Sequence, residues 1–218
     1  MARRGAASLR VSEIFHSLQG EASRVGLPTV FVRLSGCPLR CVWCDTAHAF
    51  TGGRRMTLAA ILDAVSGYGT RQICVTGGEP LAQEDCRLLL ASLCDAGHEV
   101  SLETSGALDI GGVDSRVSRI VDLKAPGSGE SQRNRWQNLP LLTVRDELKF
   151  VLADRADYEW ARQTIAEHHL DRRCPILFSP VRDTLAPRDL AEWILADRLP
   201  VRFQLQLHKQ LWGNLQGR

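Results

Sequence analysis

The 218-residue sequence has no long apolar run, no large excess of charge and no internal repeat, and each absence excludes a class of protein. No apolar segment approaches the roughly 20 residues that a membrane-spanning helix needs. A net charge of +2 provides no strong attraction to nucleic acids or membranes. Hydrophobic residues make up 44% and charged residues 24%, which is an ordinary globular balance. Because low-complexity segments and linkers are also absent, we predict a single domain over residues 1–218.

The N-terminus lacks the features of a secretory signal. Residues 1–8 are basic, but no apolar segment follows them, so we expect a disordered tail there. The seven cysteines are an odd number, and the chain is too long to need disulfide bonds for stability. Free cysteines without a signal peptide predict a cytoplasmic protein.

Three cysteines, Cys37, Cys41 and Cys44, share one short loop with the spacing C-x3-C-x2-C. A zinc site usually combines two half-sites, and no second half-site is present. The remaining cysteines are isolated in apolar segments and resemble small buried residues: Cys74, Cys86, Cys94 and Cys174. Three thiolates can hold a [4Fe-4S] cluster with one iron left open, whereas ferredoxin clusters use four. The loop therefore predicts a cluster with a vacant position for a small molecule.

Short β-rich runs alternate with amphipathic helical segments, which favours a parallel sheet with helices outside it. We predict strands at Val30–Leu34, Ile73–Val75, Glu99–Glu103, Arg119–Leu123, Glu147–Leu152, Pro175–Phe178 and Val201–Leu205. We predict helices at Leu58–Val65, Asp85–Ala96, Arg155–His168 and Pro187–Leu195. These units are too few for an eight-fold barrel. The expected fold is therefore α/β, an open, partial parallel β/α barrel of about six strands, with functional residues at the carboxyl ends of the strands.

The segment Thr76-Gly77-Gly78-Glu79-Pro80 follows the predicted strand at Ile73–Val75. Paired glycines allow the backbone to approach a ligand closely, and Glu79 provides a carboxylate for an ammonium group. Alone, the segment would suit a plain β-turn. Beside an open cluster, it indicates a cofactor that carries an amino acid.

The cysteine loop and the Gly-Gly-Glu-Pro segment resemble the radical S-adenosylmethionine superfamily. The resemblance implies that Cys37, Cys41 and Cys44 hold a [4Fe-4S] cluster. It also implies that S-adenosylmethionine binds the open iron and yields a 5′-deoxyadenosyl radical when the cluster supplies an electron. The cofactor contacts that it implies are Trp43, Cys44, Asp45, Gly77, Gly78, Glu79, Gly106, Asp122, Lys124, Ser179 and Pro180.

Further segments narrow this resemblance to one family. They are Leu18-Gln19-Gly20-Glu21, Asp45-Thr46, Glu103-Thr104-Ser105-Gly106 and Gln204–Lys209. Together they resemble 7-carboxy-7-deazaguanine synthases over about Val11–Trp212. That family converts 6-carboxy-5,6,7,8-tetrahydropterin into 7-carboxy-7-deazaguanine with loss of ammonia, in queuosine and deazapurine biosynthesis. The implied substrate contacts are Leu18, Gln19, Gly20, Arg33 and Thr104, and the implied Mg²⁺ ligand is Thr46.

The family resemblance also implies partners. It implies a homodimer and an external electron donor such as flavodoxin or ferredoxin, with no direct contact to nucleic acid or membrane. The family usually has Gly after Gln-Gly-Glu, where this sequence has Ala22. The loop at Ala22 is therefore where we expect this chain to depart from the family in shape.

Other interpretations stay open at this stage. Arg33 would also suit a surface ion pair, Gln19-Gly20 a simple turn, and Asp122 with Lys124 a structural salt bridge. His208, predicted on the last strand, suits either a structural role or a position near the substrate. The alternative functions are a glycyl-radical-enzyme activase, which shares the cysteine spacing, and a non-enzymatic iron–sulfur electron carrier.

Overall fold

The computed structural model describes residues 7–213 and 215–217, which form one mixed sheet with helices packed on it. The strands are β1 (Ser8–Leu18), β2 (Pro28–Leu34), β3 (Arg54–Thr57), β4 (Gln72–Gly77), β5 (Glu99–Thr104), β6 (Ser118–Asp122), β7 (Glu147–Leu152), β8 (Ile176–Pro180) and β9 (Arg202–Phe203). The α-helices are α1 (Leu58–Ser66), α2 (Cys86–Asp95), α3 (Arg155–His168), α4 (Pro187–Asp197) and α5 (Leu207–Trp212). Among the described residues, no helix is long and apolar enough to cross a membrane.

The nine strands lie in the order β3-β1-β2-β4-β5-β6-β7-β8-β9. From β2 to β9 every neighbouring pair in this order is parallel, while β1 runs antiparallel to both β2 and β3. The two edge strands do not pair with each other, so the sheet is open. The predicted fold class is confirmed, and the sheet is larger than expected because β1 and β3 extend it beyond β2.

Local sequence explains where the elements begin and end. The parallel strands are rich in Val, Ile and Leu, and β4 is buried along almost its whole length, as a strand covered on both faces must be. The hydroxyl of Thr57 accepts a hydrogen bond from the amide of Ala60 and caps α1. The carboxylate of Asp154 accepts from the amide of Asp157 and caps α3. Pro187 occupies the first turn of α4, where its missing N–H costs nothing.

The structure corrects the predictions at both ends of the chain. Within the expected tail, residues 1–6 lie outside the described residues, but Ala7 is buried and Ser8 begins β1. The predicted strand Val201–Leu205 is reduced to the two residues of β9. The placement of His208 on the last strand is wrong, because His208 lies in α5.

The core lies between the sheet and its helices. Tyr158 of α3 packs edge-on against Phe178 of β8, and Phe178 packs edge-on against Phe150 of β7. These rings are fully buried. The packing holds the strands in place. Because β4 to β8 run parallel, their carboxyl ends lie at one edge of the sheet, where a pocket opens.

Candidate active site

One pocket collects most of the residues that the sequence singles out. The predicted residues that line it are Leu18, Gln19, Gly20, Arg33, Cys37, Cys41, Trp43, Cys44, Asp45, Thr46, Gly77, Gly78, Thr104, Asp122 and Lys124. The predicted residues outside its lining are Glu79, Gly106, Ser179 and Pro180. Segments far apart in the sequence thus meet around a single cavity.

The three loop cysteines are free thiols that are partly exposed to the pocket. Burial raises the pKa of Cys37 and of Cys41 above the ordinary thiol value, so metal binding there would release protons. The amide of Val42 donates to the carbonyl of Ser128 at 3.0 Å, which ties the loop to the segment after β6. Within the described part of the chain, no three His, Cys, Asp or Glu side chains are placed to hold a single metal ion.

Gly77 and Gly78 hold the end of β4 against the cysteine loop. A Cβ added to Gly77 would lie 2.4 Å from the carbonyl oxygen of Leu34, and one added to Gly78 would lie 2.2 Å from that of Gly36. The amide of Glu79 donates to the same Gly36 carbonyl at 2.7 Å. Only glycine permits this approach of two backbones, directly before Cys37.

Glu79 is fully buried and serves as an acceptor inside the protein. Its carboxylate accepts hydrogen bonds from the hydroxyl of Thr104 at 2.8 Å, from the amide and hydroxyl of Ser105 at 2.7 and 2.5 Å, and from the amide of Leu81 at 3.0 Å. These bonds connect the ends of β4 and β5. Contact between Glu79 and a cofactor ammonium group stays a prediction.

The loop after β1 is held by its own side chains. The side-chain oxygen of Gln19 accepts from the amides of Gly20 and Glu21, and its nitrogen donates to Glu103 at 3.2 Å. Ala22 has a φ of 64°, in the region that favours glycine, and it is buried. At the point of departure from the family pattern, Ala22 thus adopts a backbone conformation that glycine tolerates better than alanine.

Glu21 and Lys149 form a buried ion pair at 2.6 Å. Burial acts to raise the pKa of Glu21, but the charge of Lys149 and hydrogen bonds from Lys149 and Gln206 outweigh it and lower that pKa to about 2. Burial acts to lower the pKa of Lys149, but Glu21 and Asp122 raise it well above its usual value. Both groups are consequently charged at neutral pH.

The chain contains only three lysines, Lys124, Lys149 and Lys209, and all of them line the pocket. Each one forms an ion pair there. Lys124 lies 3.1 Å from Asp122, which is also 3.5 Å from Lys149, and Lys209 lies 2.8 Å from Asp45. The pocket therefore holds a network of alternating charges, and the salt bridge between Asp122 and Lys124 that the sequence left open is present.

Arg33 and Glu103 are two further charged residues that line the pocket. The guanidinium of Arg33 donates to Glu13 at 2.6 Å and lies over the ring of Phe15. Glu103 accepts from Gln19 and, at 3.1 Å, from the hydroxyl of Thr76. Arg33 therefore forms an ion pair and also lines the pocket. This position is compatible with both interpretations of Arg33, as a substrate contact and as a member of an ion pair.

The segment 204–209 covers the loop after β1. The side chain of Gln206 donates to Glu21 at 2.6 Å, the amide of Leu207 donates to the carbonyl of Gly20 at 2.9 Å, and Gln204 accepts from the amide of Ala22. His208 packs against Gly20, since a Cβ there would lie 2.1 Å from its Nδ1. Burial lowers the pKa of His208, which keeps the imidazole neutral at pH 7.

The remaining predicted residues have local roles in the structure. Gly106 has a φ of 69°, and a Cβ there would lie 2.8 Å from a methyl group of Val121. Ser179 and Pro180 complete β8, and the pocket lining begins with the next residues, Val181 and Arg182. Cofactor contacts at Gly106, Ser179 and Pro180 stay predictions.

Sequence reasoning missed several residues that line the pocket. They are Glu21, Glu103, Lys149, Arg182, Gln206 and Lys209. A signal was present for Lys149, because a lone lysine in the middle of an apolar strand must find a buried counter-charge. Gln206 and Lys209 lie in the Gln204–Lys209 segment that carries the family resemblance, but their place at the pocket depends on how the C-terminal segment returns to it.

Comparisons with known proteins show which family the chain resembles. The model of the radical SAM superfamily matches residues 31–169. A 7-carboxy-7-deazaguanine synthase from Chlorobaculum tepidum is 48% identical over 95% of this chain and 96% of its own length. One from Koribacter versatilis is 42% identical over 94% of this chain and 97% of its own length.

A solved structure shows the same arrangement of elements. The crystal structure of QueE from Escherichia coli superposes with a TM-score of 0.78 and 25% identity, covering 94% of this chain and 96% of that chain. The family model spans the cysteine loop and the strands that form most of the pocket. The chain therefore belongs to the 7-carboxy-7-deazaguanine synthase family of the radical S-adenosylmethionine superfamily.

Proposed function

We propose that this chain is a carbon–nitrogen lyase that converts 6-carboxy-5,6,7,8-tetrahydropterin into 7-carboxy-7-deazaguanine and ammonia. The observation that carries the proposal is the meeting of the three loop cysteines and the Leu18–Gly20 loop in one pocket. Loss of ammonia accounts for the whole difference in composition between substrate and product, so no net oxidant is required.

The cysteine loop fits a [4Fe-4S] cluster, which membership of the superfamily brings together with S-adenosylmethionine. Its three thiols are free, line the same cavity and have no fourth cysteine beside them in the sequence. When bound, the cluster and S-adenosylmethionine would supply the radical that removes a hydrogen atom from the substrate. Trp43, Asp45, Gly77 and Gly78 are the lining residues proposed to hold S-adenosylmethionine.

The lining residues Gln19, Arg33 and Glu103 suit a pterin. The amino-pyrimidinone edge of a pterin presents N–H donors, and the carboxylate of Glu103 is an acceptor that faces the pocket. The substrate carboxylate needs a cation, and Arg33 with its planar guanidinium is the one proposed for it. Gln19 orders the loop between these groups through its bonds to Gly20 and Glu21.

The segment 204–209 has the position needed to keep water from a radical. It is bonded to the loop after β1 by Gln206 and Leu207, and to the cysteine loop by the ion pair of Lys209 with Asp45. A closed pocket protects a reactive intermediate from side reactions with solvent. The role of these residues is therefore exclusion of water and orientation of the loop.

We extend the proposal to Mg²⁺, with the hydroxyl of Thr46 as one ligand. Thr46 lines the pocket, and its Oγ1 lies 3.8 Å from Sγ of Cys44. Mg²⁺ keeps several waters, so one hydroxyl and the substrate carboxylate are a sufficient set of additional ligands. We expect Thr46→Ala to raise the Mg²⁺ concentration for half-maximal rate and to leave iron content unchanged, while Thr51→Ala changes neither. Loss of iron from Thr46→Ala would contradict the assignment.

The decisive experiment is anaerobic turnover of the reconstituted enzyme. Dithionite, S-adenosylmethionine, MgCl₂ and 6-carboxytetrahydropterin are added, and 7-carboxy-7-deazaguanine is followed by mass spectrometry. Product with little net loss of S-adenosylmethionine is the expected result. Release of 5′-deoxyadenosine without product would favour the activase, and neither product from a loaded enzyme would favour the electron carrier.

A matched pair of variants on β5 tests the substrate site. Glu103→Gln removes the charge that faces the pocket, and we expect KM for the pterin to rise about tenfold or more, the scale of a lost charged hydrogen bond. Glu99→Gln changes a carboxylate at the exposed start of the same strand and leaves KM unchanged. Equal KM values for the two variants would remove Glu103 from the substrate site.

A further inference from the structure

A crevice that the pocket chemistry does not use lies behind the cysteine loop. It has a volume of about 440 Å³ and opens to solvent. Its lining consists of Arg10, Ser35, Gly36, Phe50, Thr51, Gly52, Arg55 and Gln83, with two arginines and no acidic residue. It shares only Phe50 with the lining of the substrate pocket. The crevice is therefore an opening separate from the substrate pocket.

The two arginines are placed opposite each other by the strand register. Arg10 of β1 pairs directly with Arg55 of β3. Like charges directly opposite each other destabilise an antiparallel pair. The guanidinium of Arg10 donates to the carbonyl of Gly52, and that of Arg55 donates to the hydroxyl of Ser8, so neutral acceptors hold both groups. Across the described residues, no carboxylate lies within ion-pair distance of either one.

A third arginine extends the positive face toward the cysteine loop. The guanidinium of Arg40 lies 4.2 Å from the ring centre of Phe50 and donates to the carbonyls of Cys37 and Leu39. The carboxylate of Glu130 accepts from the backbone amide of Arg40 at 2.6 Å, and within the described residues it forms no ion pair with the Arg40 guanidinium. Phe50 thus contacts the guanidinium of Arg40 and lines the crevice together with Arg10 and Arg55.

The floor of the crevice is one residue away from a predicted cluster ligand. Ser35 and Gly36 line it, and Cys37 follows directly. The backbone amide of Ser35 donates to the carbonyl of Arg10 at 2.9 Å, so a backbone hydrogen bond joins β1 to the residues just before the cysteine loop. The hydroxyl of Ser35 is buried and has no hydrogen-bond partner among the described residues. The crevice therefore lies directly beside the start of the cysteine loop.

We infer that the face formed by Arg10, Arg40, Arg55 and Phe50 is the docking surface for a small acidic one-electron carrier protein. The inference rests on the proposed function, because a cluster of this type needs an electron from outside the chain. One electron passes from the reduced carrier to the cluster, the carrier is oxidised by one electron, and no bond forms or breaks. Charge complementarity steers such encounters, and electron-transfer interfaces are small, so a few arginines around one aromatic ring suffice.

Binding of a purified bacterial flavodoxin to the holoenzyme tests the inference directly. Biolayer interferometry gives Kd at about 50 mM and about 300 mM salt, since screening separates charge-driven binding from apolar binding. We expect Arg55→Glu and Arg10→Glu each to raise Kd about tenfold at low salt. Arg10→Glu places a carboxylate opposite Arg55, so the strand pair gains a favourable contact and folding is retained.

Arg145→Glu is the matched control. Arg145 is exposed and precedes β7, at the edge of the sheet opposite the carboxyl ends of the strands. We expect its Kd to stay within about twofold of the wild type, because a single remote charge is screened. Unchanged Kd for Arg10→Glu and Arg55→Glu, or an equal loss for Arg145→Glu, would overturn the docking surface.

A kinetic measurement separates docking from chemistry. With dithionite as reductant, Arg10→Glu and Arg55→Glu should cleave S-adenosylmethionine at the wild-type rate, while with reduced flavodoxin their KM for the carrier rises. An equal fall with both reductants would mean that the substitutions damage the cluster, and the inference would be withdrawn. If the wild type yields no 7-carboxy-7-deazaguanine but the flavodoxin Kd still responds as expected, the proposed function fails and the docking surface stands.

Discussion

Replacing Lys149 with methionine removes the cation that neutralises Glu21 and keeps most of the side-chain volume. The pKa of Glu21 is about 2, against an ordinary value of 4.5. That difference corresponds to about 3 kcal/mol of stabilisation of the charged carboxylate. Removing one partner of a buried pair typically costs about 3–5 kcal/mol. We therefore expect the free energy of unfolding of Lys149→Met to fall by about 3 kcal/mol at neutral pH.

The pH dependence follows from the sign of the shift. Because the pKa of Glu21 is lowered by folding, its stabilisation is present above about pH 4.5 and is lost as the pH falls toward 2. In Lys149→Met, burial remains and the lowering charge is gone, so the pKa of Glu21 rises above its ordinary value. The stabilities of wild type and variant should consequently converge as the pH falls through this window.

Urea unfolding followed by circular dichroism measures the effect, with cluster-free protein used for every variant. The double variant Glu21→Gln/Lys149→Met removes both charges and should recover most of the lost stability. Arg116→Met is the control, since Arg116 pairs with Asp114, whose pKa is also lowered to about 2, but on the surface. The free energy of unfolding of Arg116→Met should fall far less than that of Lys149→Met, because exposed ion pairs contribute little to stability.

Two results would refute this reasoning. One is a loss of less than about 1 kcal/mol for Lys149→Met, which would mean that Glu21 finds another partner or remains hydrated. The other is a double variant as unstable as the single variant, which would assign the loss to packing of the lysine stem rather than to its charge.

Further predictions concern the cysteine loop and its supports. Cys41→Ala should abolish iron and sulfide content after reconstitution, whereas Cys94→Ala, in α2, should retain both. Gly78→Ala places a methyl group 2.2 Å from a backbone carbonyl of the loop and should lower iron content, whereas Gly67→Ala, with no atom closer than 3.6 Å, should not. Ala22→Val should lower the free energy of unfolding by about 2 kcal/mol, because a branched side chain is strained at a φ of 64°. Ala22→Gly should stay within about 1 kcal/mol of the wild type.

Each of these has a contrary outcome. Iron retained by Cys41→Ala would exclude that thiol as a ligand. Equal iron content in the two glycine variants would show that the loop can shift without consequence. Equal stability of the two Ala22 variants would show that the loop after β1 is not held in its left-handed conformation.

Local sequence signals were sufficient for the elements whose ends carry their own caps. The predicted bounds of β7 and α3 match the structure, because Asp154 between them caps the helix and four of the six strand residues are Leu, Phe or Val. Strands β1 and β3 were missed. Their pairing is long-range, with Leu9 opposite Met56, and β1 has mixed polar and apolar residues with intermediate burial. A window of ten residues contains no information on such a partner.

The same division applies to the candidate site. The cysteine spacing and the glycine pair are local, and the structure brings them to one pocket. The pairing of Glu21 with Lys149 joins residues 128 positions apart and depends on two separate elements meeting. The contacts of Gln206 depend likewise on the path of the C-terminal segment. Motifs therefore predicted which residues bind the cofactors, and that assignment stays a prediction, while the supporting charges became visible only in the fold.

Because all three lysines line the pocket, lysine-specific labels would report on the pocket alone. Reductive ¹³C-methylation modifies amines and leaves arginines untouched, so the chain would give methyl signals only from Lys124, Lys149, Lys209 and the N-terminal amine. Each lysine signal would report on a different carboxylate contact in the cavity, without any background from the protein surface. Ligand entry, proton release and movement of the C-terminal segment could then be followed by NMR on the unmutated chain.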